Sequence, residues 1–436
     1  MDSETGYLPI EENCEVTSLQ GAVDVIRAAA AKGKALYPIG GGTQLGMGGP
    51  PRRPGVALRL ARLNRVVDYP SRDLTVTVEA GMTLGSLQEL LASQNQWLPL
   101  SVPEPHRATI GGLLSTDWPS LRQTRYGSAR DFLLAAKAVD GTGCEFNCGA
   151  RVVKNAAGYN LCRLLVGSFG GLAVLTEVTL MVRPRPEASL FLVTTCPHLE
   201  AAENFVRALG PRITEVATAQ LLAGQVWMMW HEAFKVQPAT PQPLWLVIGL
   251  EGSVPEVAAL EAEVTPLLGQ FVSQEVLRLS TEESREIWQC LEGFSGLPSA
   301  IVDKVSPSGQ APVLLQVRTM PDRTLCTCRQ LVDFSEALAW EADLSAGLVW
   351  VWLEATKEDF PKIWNTLYAR MAASEGKVVV AGRPATWDLS PQMVWGEPPD
   401  GNGVILASRT ARKIAIELKK RFDPQGILNP GRLPWS

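Results

Sequence analysis

Apolar positions in the first half of the chain switch repeatedly between helical and strand spacing. After Ser18, the residues Leu19, Ala22, Val23 and Ile26 recur at three- and four-residue intervals and the pattern stops at Gly33. This predicts a helix with a side-chain N-cap and a glycine stop. Ala35–Ile39 then reads as a strand, and Val56–Leu60, Val66–Tyr69 and Leu74–Glu79 as further strands, the last alternating Thr75 and Thr77 with Val76 and Val78. Thr83 predicts the cap of a helix running to about Ser93. Trp97–Leu100 reads as a returning strand, Asp140-Gly141 as a hairpin turn and Leu172–Val182 as a β-rich run. The proline-rich Arg183–Glu187 breaks that run and marks a domain boundary. Beyond it, Leu348, Trp350 and Trp352 alternate with smaller residues, a strand signature suited to core or interface packing. Helices and strands interleaved in this way place the end of the strand Ala35–Ile39 in an α/β unit.

Two glycine-rich bends interrupt the pattern. Gly40, Gly41 and Gly42 follow the strand Ala35–Ile39 directly and remove every Cβ from the turn, so that consecutive backbone N–H groups can converge on one anion such as a pyrophosphate. The spacing differs from the dinucleotide fingerprint, because the sixth position from Gly40 is Leu45, and from a P-loop, because no Gly-Lys-Ser/Thr is present. Thr109, Gly111 and Gly112, with Ser115 a turn later, can present a hydroxyl and N–H groups to a second side of the same ligand. A third close backbone approach is expected at Gly167, Gly170 and Gly171. Arg122, Arg125 and Arg130 form a basic approach after the second bend, and Asp131 beside Arg130 suggests an internal ion pair.

Composition narrows the class. The chain has 436 residues, 46% of them apolar and 19% charged, which allows two or three domains with substantial cores. The net charge of −5 is uneven: residues 1–186 are slightly basic and 187–436 acidic, and the absence of a clustered basic stripe argues against nucleic-acid binding. Eight cysteines include no C-x-x-C pair, and the three histidines are far apart, so neither a metal nor an iron–sulfur cluster is expected; the thiols are expected to be reduced. The acidic run MDSETGYLPI does not read as a signal peptide, and no window reaches the ~18 apolar residues of a spanning helix. A cytoplasmic protein is expected, touching the inner face of a membrane only through partners.

The motifs then form an ordered series: P-x-G-G-G-T, A-T-I-G-G, R-Y-G-x-x-R-D, V-K-N-x-A-G-Y and G-S-x-G-x-L-x-V-L-T-E-V, with FDPQGILNPGRLP at 422–434. This series resembles the FAD-binding domain of the vanillyl-alcohol-oxidase (PCMH) type. Within that family the run V-V-K-N-A-A-G-Y at 152–159 is similar to the FAD-binding E subunit of bacterial glycolate oxidase (glycolate dehydrogenase). The resemblance implies an α+β chain: a two-subdomain FAD domain over 1–186, an α+β cap with an antiparallel sheet over 187–415, and a segment over 416–436 returning to the FAD domain.

Carried over by position, the resemblance assigns Pro38, Ile39, Gly40, Gly41, Gly42, Thr43 and Gln44 to the pyrophosphate. Thr109, Ile110, Gly111, Gly112 and Ser115 would line the second side, and Gly170, Gly171 and Val174 would face the cofactor with backbone groups, with Asn155 and Gly158 as neighbours. Members that bind flavin covalently use a His in the glycine loop or a Cys before the Thr-Ile-Gly-Gly turn. Here Thr43 or Gln44, and Arg107, stand there, which implies non-covalent FAD. Catalytic relatives carry a histidine- and glycine-rich motif in the cap, whereas DLSAGLVW at 343–350 has no histidine, and bulky Trp118 follows the second bend where small residues are usual. The implied role is a flavin-carrying subunit in glycolate oxidation, working with a sister FAD-binding catalytic subunit and an iron–sulfur subunit. The rivals are a self-sufficient dehydrogenase of a D-lactate-like hydroxy acid and a scaffold that has lost its cofactor. No catalytic base is identifiable.

Overall fold

The computed structural model describes residues 6–150, 161–229, 240, 242–272, 275–296, 310–334, 337–372, 374–396 and 409–435. Two compact units emerge. The first comprises residues 1–120, 127–185 and 385–436; the second comprises 121–126 and 186–384.

The first unit is built on two sheets. β1 (Ile10–Glu15), β3 (Gly55–Arg59) and β2 (Ala35–Ile39) form a parallel three-stranded sheet in the order β1-β3-β2. Helix α1 (Leu19–Lys32) packs on it through Ala22, Val23, Ile26 and Ala29. Its ends follow from the sequence: Ser18 Oγ accepts from the Gly21 N–H, and Gly33 ends the helix at φ +61°, a conformation that carries little strain only without a Cβ. The C-terminal segment joins this layer, since Leu36 bridges Leu428 in parallel and Ile427 and Leu428 enter the same core. The second sheet is antiparallel, β4 (Val66–Asp68), β5 (Thr75–Glu79), β9 (Ala173–Met181), β7 (Leu133–Asp140) and β8 (Glu145–Gly149), in that order. Between these strands lie α2 (Leu84–Ala92), capped by Thr83, and α3 (Ile110–Thr116), capped by Thr109. The strand expected at Trp97–Leu100 is shorter: β6 is only Gln96–Trp97, paired with β10 (Arg183–Pro184).

The second unit is an eight-stranded antiparallel sheet with helices. Its strands are β11 (Ala188–Cys196), β12 (Thr218–Gly224), β13 (Leu244–Gly252), β14 (Leu277–Leu279), β15 (Ala311–Arg318), β16 (Ala337–Asp343), β17 (Leu348–Ala355) and β18 (Lys377–Gly382), in the spatial order β14-β11-β13-β12-β16-β17-β15-β18. Every residue of β17 is buried, which explains an apolar run interrupted only by Glu354. The short helix α4 (Gln123–Tyr126) clusters with this unit, and Arg122 explains why. Its buried guanidinium bonds both oxygens of Glu251 (3.1 Å), reaches Glu292 at 2.5 Å and lies 3.4 Å above the Trp288 ring. Arg125 pairs with Glu256 at 2.7 Å. The expected basic approach is therefore largely neutralised within the unit. The expected Arg130–Asp131 pair is also replaced: in the short helix α5 (Ala129–Phe132), Arg130 approaches Asp117 at 3.4 Å, and Asp131 accepts from the Ser128 N–H at 2.8 Å.

Candidate functional site

The first unit holds a cleft whose empty space, counted out through its open mouth, is about 870 Å³. Its lining includes Pro38 through Gln44 from the end of β2, Thr109, Gly111, Gly112 and Ser115 from α3 and its cap, and Gly170 and Val174 from the start of β9. Two sequence-derived positions lie elsewhere. Ile110 is buried and donates its N–H to the Met82 carbonyl. Gly171 packs beneath Leu433, and its carbonyl accepts from Lys419 Nζ at 2.6 Å. Asn155 and Gly158 lie outside the described residues.

The two bends differ in what their backbones offer. Among the described residues, the N–H groups of Gly40, Gly41, Gly42 and Thr43 donate to no protein acceptor, so four successive amides remain for a ligand. At the second bend the amides are already engaged: Gly111 donates to the Ala80 carbonyl at 2.7 Å and Gly112 to Thr109 Oγ1 at 3.2 Å. The expectation that both bends offer bare amides therefore holds only for the first. The second bend contributes shape. A Cβ on Gly40 would overlap Thr109 Oγ1, and one on Gly41 would overlap the Arg107 carbonyl, so the glycines let the two loops touch.

Polar groups complete the cleft. Gln44 Oε1 accepts from Thr116 Oγ1 at 2.8 Å, which orients the amide, while its buried Nε2 has no partner. A buried donor left open is costly, on the order of 1–3 kcal/mol, and marks a place for an acceptor. Arg432 is the one charged residue among the described lining. It donates to the carbonyls of Gly49 (3.0 Å), Leu45 (2.7 Å) and Met47, so a residue from the C-terminal segment holds the glycine loop in shape. With four open amides, an unpaired amide donor, a cation and no acid in the lining, the cleft suits the diphosphate of FAD. Phe169, Asn429 and Arg432 also line it but were not assigned from the sequence. Only the tail motif hinted at the last two. His106 is largely exposed and, like Trp118, is absent from the lining.

The second unit carries a separate polar cluster, set by strand register. Gln220 on β12 faces Asp343 on β16, and Glu341 on β16 faces Trp350 on β17, which in turn faces Gln316 on β15. Gln220 Oε1, Gln316 Nε2, Glu341 Oε1 and Asp343 Oδ2 are buried without partners. Burial, reinforced by Asp343, pushes the Glu341 carboxyl well above the ordinary carboxylate range. Burial pushes Asp343 up to about 6, opposed by hydrogen bonds from Ser345 and the Ala346 N–H. Among the described residues no group of three or more His, Cys, Asp or Glu side chains is arranged to hold a metal.

Comparison with known proteins defines the class. A model of the FAD binding domain matches residues 14–149, and a model of the C-terminal domain of FAD linked oxidases matches residues 185–329. Solved structures share the fold at 15% identity. Chitooligosaccharide oxidase has a TM-score of 0.66, with 99% of this chain and 92% of that one covered. Alkyldihydroxyacetonephosphate synthase has a TM-score of 0.67, with 96% and 76% covered. Among curated proteins, the chain is 31% identical to glycolate oxidase subunit GlcE of Escherichia coli (strain K12), over 84% of each chain. It is 27% identical to D-2-hydroxyglutarate dehydrogenase of Xanthomonas citri pv. viticola, over 95% of this chain and 88% of the relative. It is 26% identical to glycolate oxidase subunit GlcD of Bacillus subtilis (strain 168), over 91% and 83%. The chain belongs to the FAD-linked oxidase family of these relatives and is an FAD-dependent oxidoreductase.

Proposed function

We propose that this chain is an FAD-binding subunit of a glycolate dehydrogenase, contributing to the oxidation of glycolate to glyoxylate in a complex. Its partners are a sister FAD-binding catalytic subunit and an iron–sulfur subunit. The observation that carries the reading is the similarity to glycolate oxidase subunit GlcE over 84% of each chain, in a chain whose first unit offers four open amides to a diphosphate.

The second unit supports a division of labour. A 2-hydroxy acid needs a cation for its carboxylate and a base for its hydroxyl. The stretch Asp343–Trp350 supplies no histidine, and the cluster around it sets two acids, Glu341 and Asp343, among neutral amides. FAD, held non-covalently, would supply the electron sink, while this chain binds and orients it. Membrane contact would come through partners; among the described residues no helix is long and apolar enough to cross a membrane.

The test is turnover of glycolate by the purified chain alone and after reconstitution with both partner subunits. Activity confined to the reconstituted complex, and abolished there when this chain is omitted, supports the proposal. Full turnover by the isolated chain would overturn the division of labour and favour a self-sufficient 2-hydroxy-acid dehydrogenase of the D-lactate type, a reading that the similarity to D-2-hydroxyglutarate dehydrogenase keeps open.

A further inference from the structure

The first unit contains a sulfur–sulfur contact that plays no part in the cleft. Cys148, on β8, and Cys162, on helix α6 (Leu161–Leu165), place their Sγ atoms 3.1 Å apart. Both are free thiols, and theirs is the one cysteine–cysteine side-chain contact among the described residues. The approach is built into the backbone. Gly149 turns at φ +75°, where a Cβ would overlap the Leu134 carbonyl of β7 and stand 2.8 Å from Cys162 Sγ, so its absence lets both β7 and α6 close on the end of β8. Cys162 is completely buried and Cys148 is 6% exposed, which makes Cys148 the sulfur that a small reagent reaches first.

We propose that Cys148 and Cys162 form a reversible oxidation site, at which a hydroperoxide converts the two thiols into an intramolecular disulfide joining β8 to α6. The hydrogen bond between the two thiols favours a thiolate on one of them, and the greater exposure of Cys148 makes it the attacking sulfur and Cys162 the resolving one. In the first step the Cys148 thiolate attacks a peroxide oxygen, the O–O bond breaks, and the departing oxygen leaves as water or alcohol after taking a proton. This yields a sulfenic acid on Cys148. In the second step Cys162 Sγ attacks Cys148 Sγ, the S–O bond breaks, and the released hydroxide takes the Cys162 proton to give water. The two sulfurs lose two electrons in total and the peroxide gains them.

Forming the bond requires the sulfurs to close from 3.1 Å to about 2.05 Å. In the sequence the two cysteines lie on either side of the V-V-K-N-A-A-G-Y run at 152–159. Sequence spacing conceals the pair, because 14 positions separate the two cysteines.

The test uses the FAD-loaded full chain, exposed to a small excess of hydrogen peroxide, alkylated in denaturant and digested. Most of the chain is expected to lose two hydrogens and to yield a peptide pair linked through Cys148 and Cys162, released by dithiothreitol. Exposed Cys144 is expected to stay alkylated. Two results overturn the proposal in the unmodified chain: Cys148 and Cys162 both carrying the alkyl label after peroxide, or Cys148 recovered as sulfinic acid with Cys162 alkylated. Cys148→Ser provides an independent check. It is expected to abolish the loss of two hydrogens, and its persistence in that variant would assign the disulfide to other cysteines and refute the site.

Discussion

At the residue scale, the cofactor cleft turns on side chains whose partners are missing in the protein. Gln44 is oriented by Thr116 and leaves a buried donor open. Replacing Gln44 with Leu removes that donor at nearly constant volume. FAD affinity is expected to fall about tenfold, the equivalent of one hydrogen bond, while the melting temperature of the apoprotein changes little; flavin fluorescence titration reads the first and calorimetry the second. Glu341 poses the opposite case, a buried carboxyl with no counter-charge among the described residues. A folded-state value above the unfolded one means that the group favours folding below the unfolded carboxylate range and that this contribution is lost as pH rises through the folded value. Glu341→Gln, an uncharged near-isostere, is therefore expected to stabilise the protein by about 1–3 kcal/mol at pH 8, with the gain vanishing near pH 4. Urea unfolding at the two pH values distinguishes this from a general packing effect, which would be independent of pH.

At the element scale, the C-terminal segment governs the glycine loop. Asp423 follows the helix Arg409–Phe422, pairs with buried Lys419 at 2.6 Å and accepts the N–H groups of Ile427 (3.0 Å) and Leu428 (2.8 Å). Those bonds set the turn that brings Leu428 beside Leu36 and Arg432 beneath the loop at Leu45–Gly49. Asp423→Ala leaves Lys419 without its counter-ion and is expected to cost about 3–5 kcal/mol in urea unfolding. Arg432→Met is milder for the fold but removes the donors that hold the loop carbonyls, so it should weaken FAD binding at least tenfold.

Much of this level was legible in the sequence. Ser18, Gly33 and Thr83 punctuate their helices where local capping chemistry predicts, and the glycines after β2 mark a true backbone bend. What stayed hidden depends on contacts distant along the chain. The Gly111 amide is taken by Ala80, Arg432 works more than 380 positions away from the loop it braces, and the Gln220–Asp343 pairing exists only through the register of β12 against β16. Motif order could name Gly111 as a site residue, but it could not reveal that its N–H was already engaged.

At the scale of the whole molecule, two units carry different chemistry. The first gathers open amides and a cation around an acid-free cleft, and the second holds buried acids on a sheet that presents no histidine between Asp343 and Trp350. This distribution is the ground for the proposed division of labour between subunits. It also changes how the glycines should be tested. Because a Cβ on Gly41 meets the Arg107 backbone, bulky substitutions there disturb the loop contact as well as the amides, so loss of colour in such a variant does not isolate the cradle. The most direct measurement is therefore on the unaltered chain: record the visible spectrum of the purified protein, precipitate it with acid and assay the supernatant for flavin. The account predicts a yellow protein that releases close to one equivalent of FAD into solution. A protein that stays colourless after incubation with FAD, or a flavin that remains attached to the precipitate, would contradict it.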